Sequence, residues 1–456
     1  MRIEVCIGIR IAKGRNAVED EKHLETAERV VNVSIEKMVY GGEGLSRTEE
    51  GVLLVPMVLP GERATVRLAE RHKGVRRASV VEVLDPSPDR ISPACPYFSR
   101  CGGCHYQHIR YERQLEIKRE ILLECFERVG KIKLETPVSV IAAEPWQYRN
   151  RTRLRIEKDP ERFAIGYFEP LSHRLCSIES CPISSPAIDA AIGTLAGGLG
   201  ARCFPDGCAE LELFASESGQ TLLATVYSVA AAPVSFGEEL REAIPGLDSV
   251  CWKQENVRSN SEKPETKTTL WGSGAITYHA GEFHFRVGHD SFFQTNRFLL
   301  QDLIGAVTGD LEGKRALDLY AGVGLFSLPL ARRFEQVSAV ESNRASARDL
   351  ESNMGVVGER ARTYRMDVEK FLATAKPGWD AIVADPPRSG LTKVVVENLC
   401  RLRPRRLVYV SCDPTTLARD LALLIRGGFR TRSVHLVDLF PQTFHLESVV
   451  HLEYTE

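Results

Sequence analysis

Two short segments near the carboxyl end carry residues able to do covalent chemistry. Tyr409-Val410-Ser411-Cys412-Asp413-Pro414 is an apolar strand that stops on a cysteine, and His445-Leu446-Glu447-Ser448 sets a carboxylate just before another strand. Upstream, Asp318-Leu319-Tyr320-Ala321-Gly322-Val323-Gly324 is a glycine turn of the kind that opens a nucleotide-binding βα unit. A nucleophile, a base and a cofactor turn suit methyl transfer to a pyrimidine carbon. Uracil C5 is too weak a nucleophile to attack a sulfonium methyl group unaided. A thiolate added at C6 makes C5 an enolate carbon, and a base must remove the C5 proton before the thiol can leave. Cys412 is the expected nucleophile and Glu447 the expected base.

A free thiol, with a pKa of about 8.5, is only slightly ionised at neutral pH. Asp413-Pro414-Thr415-Thr416 reads as an N-cap followed by a proline-started helix, so Cys412 would stand at a helix amino terminus whose dipole favours thiolate. A buried core cysteine is the bland alternative, and the position between strand end and helix start outweighs it. Glu447, flanked by His445-Leu446 and Val449-Val450, is expected at a rigid strand entrance, partly buried and with a raised pKa suited to proton abstraction.

Gly322 and Gly324 let the backbone turn tightly beside a cofactor. The next strand ends in Glu341, a carboxylate placed to accept both hydroxyls of a ribose. The turn lacks the third glycine of a pyrophosphate fingerprint, which disfavours a dinucleotide and suits S-adenosyl-L-methionine. Asp367 could accept from an adenine amino group, although a surface Asp is equally expected there. Ala384-Asp385-Pro386-Pro387-Arg388 can bring Asp385 to the sulfonium and the base. Arg388 stands where enzymes acting on exocyclic amines carry a stacking aromatic residue, which argues for a carbon target.

These groups need a scaffold. From about Ser291, strands alternate with helices as in an open, doubly wound, Rossmann-like α/β sheet: 315–320, 337–340, 381–384, 407–410, 434–439 and 448–452. At 456 residues the chain is long enough for about three domains. Residues 1–29 read as a poorly ordered polar extension. Residues 30–88 alternate apolar and polar residues in short runs divided by Gly41-Gly42-Glu43-Gly44 and Pro60-Gly61-Glu62, the pattern of a small OB-like β-barrel. Arg63, Arg67, Arg71, His72, Lys73, Arg76 and Arg77 crowd one part of it, and such a patch attracts phosphate. Residues 89–290 form a mainly β central region with helices near 111–129 and 187–195, an exposed loop at 254–269, and a strand on which Arg151, Arg153 and Arg155 share a face. Residues 291–456 are the cofactor-binding domain.

The net charge of −2, with 43% hydrophobic and 26% charged residues, is ordinary for a soluble protein and gives no global sign of a nucleic-acid partner. No apolar run reaches about 18 residues and charges interrupt the amino terminus, so a cytoplasmic location and no membrane partner are expected. The twelve cysteines are then core thiols, ligands or nucleophiles rather than disulfides. Cys95, Cys101 and Cys104 form a C-x₅-C-x₂-C run, with Cys181 or Cys176 available as a fourth ligand. Ligand number alone fits zinc and an iron–sulfur cluster equally well.

The chain resembles the bacterial RNA uracil-C5 methyltransferases, and within them the branch with an amino-terminal TRAM domain and a four-iron four-sulfur cluster. The likeness rests on Gly41–Gly44, Leu59–Glu62, the cysteine run with Cys181, Phe292-Phe293-Gln294-Thr295-Asn296, Asp318–Gly324, Asp385–Arg388, Ser411–Pro414 and His445–Ser448. It implies a class I methyltransferase fold, with Gln294, Tyr320, Glu341, Asp367 and Asp385 contacting S-adenosyl-L-methionine. Cys95, Cys101, Cys104 and Cys181 would hold the [4Fe-4S] cluster, which serves folding and RNA binding. Cys412 would be the nucleophile and Glu447 the base. Leu325 and Asp413 depart from residues frequent in the family. The resemblance further implies a monomer that forms 5-methyluridine in 23S ribosomal RNA. A transfer-RNA enzyme and a non-catalytic iron–sulfur RNA-binding protein are the alternatives.

Overall fold

The computed structural model describes residues 29–49, 51–72, 75–159, 162–254 and 266–455. All but Arg29 of the expected polar extension, Lys73 of the basic cluster and residues 255–265 of the expected loop lie outside that set. The chain divides into two compact units, Met1–Arg90 and Ile91–Glu456.

In the first unit six strands form one sheet: Val30–Ser34, Lys37–Val39, Glu43–Thr48, Gly51–Pro56, Arg63–His72 and Val75–Asp85. Alternation turns Val33, Leu53, Val55, Ala64, Val66 and Ala78 into one core. The strands on either side of Gly41-Gly42 escape a reading by apolar alternation, because the inward residues of Glu43–Thr48 are Gly44 and Ser46. A side chain at position 44 would meet Val58 and Ile35 methyl carbons at 2.5 and 2.8 Å. The Leu59–Glu62 motif has a structural role as well. Burial would raise the pKa of Glu62, but Arg90 and the N–H groups of Ser87 and Leu59 bond its carboxylate and hold it below the usual range. In the basic cluster, Arg63 pairs with Asp85 and Arg77 with Glu43.

The second unit contains the catalytic scaffold. Its eight-stranded sheet runs in the order 361–364, 334–340, 313–319, 381–384, 406–411, 447–454, 429–437 and 138–141. All neighbours are parallel except Glu447–Tyr454, which is antiparallel to both of its partners. Strands in the middle of such a sheet are covered on both faces, so they read as continuous apolar runs such as Ala381–Ala384 and Leu407–Val410. Val138–Ile141, from the stretch assigned to the central region, forms an edge of this sheet.

A seven-stranded sheet, ordered 175–177, 163–168, 151–158, 208–215, 222–228, 247–254 and 266–271, makes up most of the rest. Gln254 and Thr266–Trp271 belong to its last two strands, which narrows the expected loop between them. The expected arginine row on Arg151–Lys158 is not a free phosphate clamp. Arg151 pairs with Glu212, while Arg153 and Arg155 pair with Glu210 on the neighbouring strand. All three guanidinium groups lie over rings, those of Phe214, Tyr227 and Phe168.

Helix Tyr111–Cys125, continued by a wider turn to Gly130, turns Ile117, Ile121 and Leu122 inward. The same face carries Lys118, whose ammonium bonds Asp438 at 2.6 Å and the Phe440 carbonyl at 2.9 Å. Both charged side chains are fully buried. Lys118→Met leaves the Asp438 charge without its partner and is expected to cost about 3–5 kcal/mol of unfolding free energy, whereas adding Asp438→Leu recovers most of that loss. Urea denaturation of the three variants checks this.

Candidate active site

The register of the large sheet assembles the site. Leu319 lies opposite Val340 on one side and Ala384 on the other. The next residues in each chain segment, Tyr320, Glu341 and Asp385, therefore emerge together at the carboxyl ends of parallel strands, where open α/β sheets bind ligands. Ser411 lies opposite Ser448 in an antiparallel pair. The residue after Ser411, Cys412, consequently meets the residue before Ser448, Glu447.

The turn after the first of these strands is tightly constrained. Tyr320 has φ of +61°, a left-handed conformation costly for a residue with a side chain. Gly322 and Gly324 continue the turn at +57° and +95°. The Gly322 N–H donates to Glu341 at 2.9 Å, and the Asn343 N–H donates to the other oxygen at 2.6 Å. Glu341 is thus oriented by backbone donors while its remaining lone pairs stay available. Asp367 is exposed and caps helix Val368–Thr374 by accepting from the Glu369 N–H, so it has a structural task of its own. It still acts electrostatically on Tyr320. Gln294 is buried, but among the described residues its side chain has no hydrogen bond to this set.

Electrostatically the site is a row of buried acids. Burial pushes Asp318 up to about 7, against a 2.5 Å bond from Ser327, and Glu341 adds to the rise. Burial and Asp318 likewise push Asp385 up to about 7. Burial and Asp385 hold Glu447 well above the usual carboxylate range, with Arg388 opposing. The raised Glu447 pKa agrees with the sequence expectation.

Cys412 departs from expectation. Burial pushes its thiol up to about 12, helped by Glu447 and Asp385, while the charge of Arg388 and its hydrogen bond to the thiol oppose the rise. The expected helix is present directly after Cys412. Asp413 caps helix Pro414–Arg426 itself, accepting the N–H groups of Thr415 and Thr416 at 3.0 and 2.9 Å. Arg388 is the cation that faces the thiol. It also reaches His445 at 3.4 Å. The sequence signal for this role was its place directly after Asp385-Pro386-Pro387. Asp318 was likewise overlooked as a titrating group, although an acid inside the apolar run Ala316–Leu319 was visible.

Cys95, Cys101, Cys104 and Cys181 line one small cavity with Tyr97, Gln107, Arg149 and Tyr167, and Cys176 is not among its walls. Burial raises the pKa of Cys95 and pushes Cys101 and Cys104 up to about 12, and neighbouring thiols add to each rise. Among the described residues, no three His, Cys, Asp or Glu side chains converge closely enough for a single metal ion. Four thiols lining one cavity are a donor set that suits an iron–sulfur cluster and zinc alike.

A model of the tRNA (uracil-5-)-methyltransferase family matches residues 110–375 and 344–455. The chain belongs to this family. Among similar proteins is the 23S rRNA (uracil(1939)-C(5))-methyltransferase RlmD of Alkalilimnicola ehrlichii, 32% identical over 430 residues that cover 91% of this chain and 95% of the relative. An uncharacterized RNA methyltransferase of Halalkalibacterium halodurans is 31% identical over 447 residues, 93% of this chain and 97% of the relative. The crystal structure of Pyrococcus abyssi tRNA (uracil-54, C5)-methyltransferase with S-adenosyl-L-homocysteine superposes with a TM-score of 0.73, at 26% identity, over 92% of this chain and 100% of that one. The protein is accordingly an S-adenosyl-L-methionine-dependent RNA uracil-5-methyltransferase with a class I fold. Among the described residues, no helix is long and apolar enough to cross a membrane.

The acid row sets a pH dependence. Asp318 and Asp385 titrate near 7 in the fold but at about 3.9 when unfolded, so their protonated forms favour the native state. That stability is complete below about pH 4 and is lost as pH rises through about 7. The melting temperature of cofactor-free protein is expected to fall between about pH 4 and 7 and to level off above that, and Asp318→Asn to flatten the slope. Thermal scans across this range check both.

Proposed function

We propose that the chain forms 5-methyluridine in 23S ribosomal RNA through a covalent adduct between Cys412 and uracil C6. The observation that carries this reading is the strand register that sets Cys412 against Glu447, with Arg388 bonded to the thiol. Bound S-adenosyl-L-methionine supplies an electrophilic methyl group. Arg388 stabilises the Cys412 thiolate, which adds to C6 and sends the C5–C6 π electrons toward O4. C5 then carries the nucleophilic electron pair and accepts the methyl group. Glu447 takes the C5 proton, the electrons of that C–H bond restore the double bond, and the C6–S bond breaks to release Cys412. The high Cys412 pKa implies that ionisation accompanies substrate binding beside Arg388, the thiol proton leaving to solvent so that Glu447 can still take the C5 proton.

Gln294, Tyr320, Glu341, Asp367 and Asp385 are proposed as the cofactor contacts. A row of acids suits a ligand that carries both a sulfonium and an ammonium group. The 23S substrate is supported by the near full-length likeness to the A. ehrlichii enzyme. A transfer-RNA substrate is the second reading, supported by the similarity to the P. abyssi structure. The first unit is proposed to be a TRAM domain that contacts RNA. The ion pairs of Arg63 and Arg77 leave both arginines more than half exposed, and such surface pairs, worth about 0–1 kcal/mol, exchange readily for phosphate. Cys95, Cys101, Cys104 and Cys181 are proposed to hold a [4Fe-4S] cluster that braces the fold.

Unmodified 23S ribosomal RNA and transfer RNA, each incubated with cofactor and analysed by nucleoside mass spectrometry, test the substrate. 5-Methyluridine is expected in the ribosomal RNA; its appearance in transfer RNA alone would reverse the choice. Cys412→Ala is expected to abolish product and Glu447→Gln to trap a denaturation-resistant protein–RNA adduct. Anaerobic protein should contain iron and sulfide in equal amounts, both lost in Cys101→Ala. Stoichiometric zinc would reject the cluster.

A further inference from the structure

Glu447 enters the site from a loop, Asp438–Leu446, that is largely buried. Loops usually lie in solvent because their backbone polar groups need partners. Here partners come from far along the chain. Asn296 donates to the Leu439 carbonyl, Lys118 to that of Phe440 and Tyr148 to that of Pro441.

Gln442 is the most heavily tied residue. Its N–H donates to Gln114 Oε1 at 3.0 Å, and its own Oε1 accepts from Gln114 Nε2 at 3.0 Å. Its carbonyl accepts the N–H groups of both His105 and Tyr106 at 2.9 Å. Gln442 holds φ of +65°, a conformation that a residue with a side chain adopts only when its surroundings impose it. Gln114 is fully buried and also donates to the Tyr106 and Ile109 carbonyls. Beyond Gln442, the His105 ring packs on Phe444 at 4.6 Å. These contacts with a distant segment lie within five residues of the strand that begins with Glu447.

We propose that the Gln114–Gln442 amide pair positions Glu447 for removal of the C5 proton. Neither residue is part of the nucleophile or cofactor machinery, so the pair acts through the loop and on one step. The proposal rests on Glu447 being the base. Proton transfer requires approach to hydrogen-bond distance, and misplacing a catalytic group by about 1 Å can cost on the order of a hundred-fold. Adduct formation depends on Cys412 and on Arg388, which lie on other segments and whose link to this loop is a 3.4 Å contact between Arg388 and His445.

The test uses full-length Gln114→Leu and Gln114→Glu with 23S ribosomal RNA transcripts carrying either ordinary or C5-deuterated uridine. In Gln114→Leu, adduct formation is expected at the wild-type rate while product release slows by about ten- to a hundred-fold. Adduct accumulates, and the deuterium isotope effect on release grows. Gln114→Glu, which keeps the acceptor for the Gln442 N–H, falls between. Equal slowing of both steps with an unchanged isotope effect overturns the proposal, as does wild-type behaviour. Should Gln114→Leu fail to fold, Tyr148→Phe, which removes only the bond to the Pro441 carbonyl, must give the same signature in weaker form. Glu447→Gln is run alongside: normal release there refutes the base assignment itself, whereas a trapped adduct there with normal release in Gln114→Leu rejects the positioning role alone.

Discussion

Like charges crowded into a buried row govern this molecule. Glu341, Asp318, Asp385 and Glu447 follow one another along the carboxyl edge of the sheet, each acting on the next. Burial and mutual repulsion raise the pKa of Asp318, Asp385 and Glu447, so these three hold protons more readily than free carboxylates. A sulfonium ligand such as S-adenosyl-L-methionine brings positive charge to such a row. Arg388 is the balancing charge, and its bond to Cys412 links the thiol to the same electrostatic system. Cys412, Asp385 and Glu447 thus act on one another electrostatically rather than as separate groups.

A site under such repulsion needs a frame that does not yield. The frame is the sheet, whose strand segments 316–319, 381–384 and 407–411 are buried on both faces, and whose turn residues Tyr320, Gly322 and Gly324 are held in left-handed geometry. On the antiparallel side, the frame is the buried loop tied down by Lys118, Gln114, Tyr148 and Asn296. Both halves secure a functional group at the end of a strand, where a rigid element meets open space.

The sequence made the strand ends legible because apolar runs stopped abruptly on Cys412, Asp385 and Glu341, and because Asp413-Pro414 is an unambiguous helix start. Features that depend on pairing were not legible. The Arg151 row looked free until its glutamate partners on a separate strand were visible, and Val138–Ile141 gave no sign that it would join a sheet nearly three hundred residues away. Lys118 and Asp438 are separated by 320 positions and each looks like an ordinary surface residue. The Cys412 pKa was misjudged for a related reason. The helix start and its Asp413 cap were readable, but how deeply the thiol is buried and how strongly Asp385 and Glu447 act on it are properties of the fold.

The antiparallel insertion of Glu447–Tyr454 between two strands running the other way also makes the sheet a ruler. Cys412 and Glu447 are spaced by one ladder of backbone bonds, Ser411 to Ser448 being its last rung. Side chains alternate faces along a strand, so a slip of one residue would turn the carboxylate to the far side of the sheet rather than merely shift it. Lengthening a connection elsewhere leaves this spacing intact, whereas a single insertion between Glu447 and Tyr454 erases it. Changes in outer loops and accessory regions can therefore leave the distance between Cys412 and Glu447 untouched, because that distance is a property of strand register.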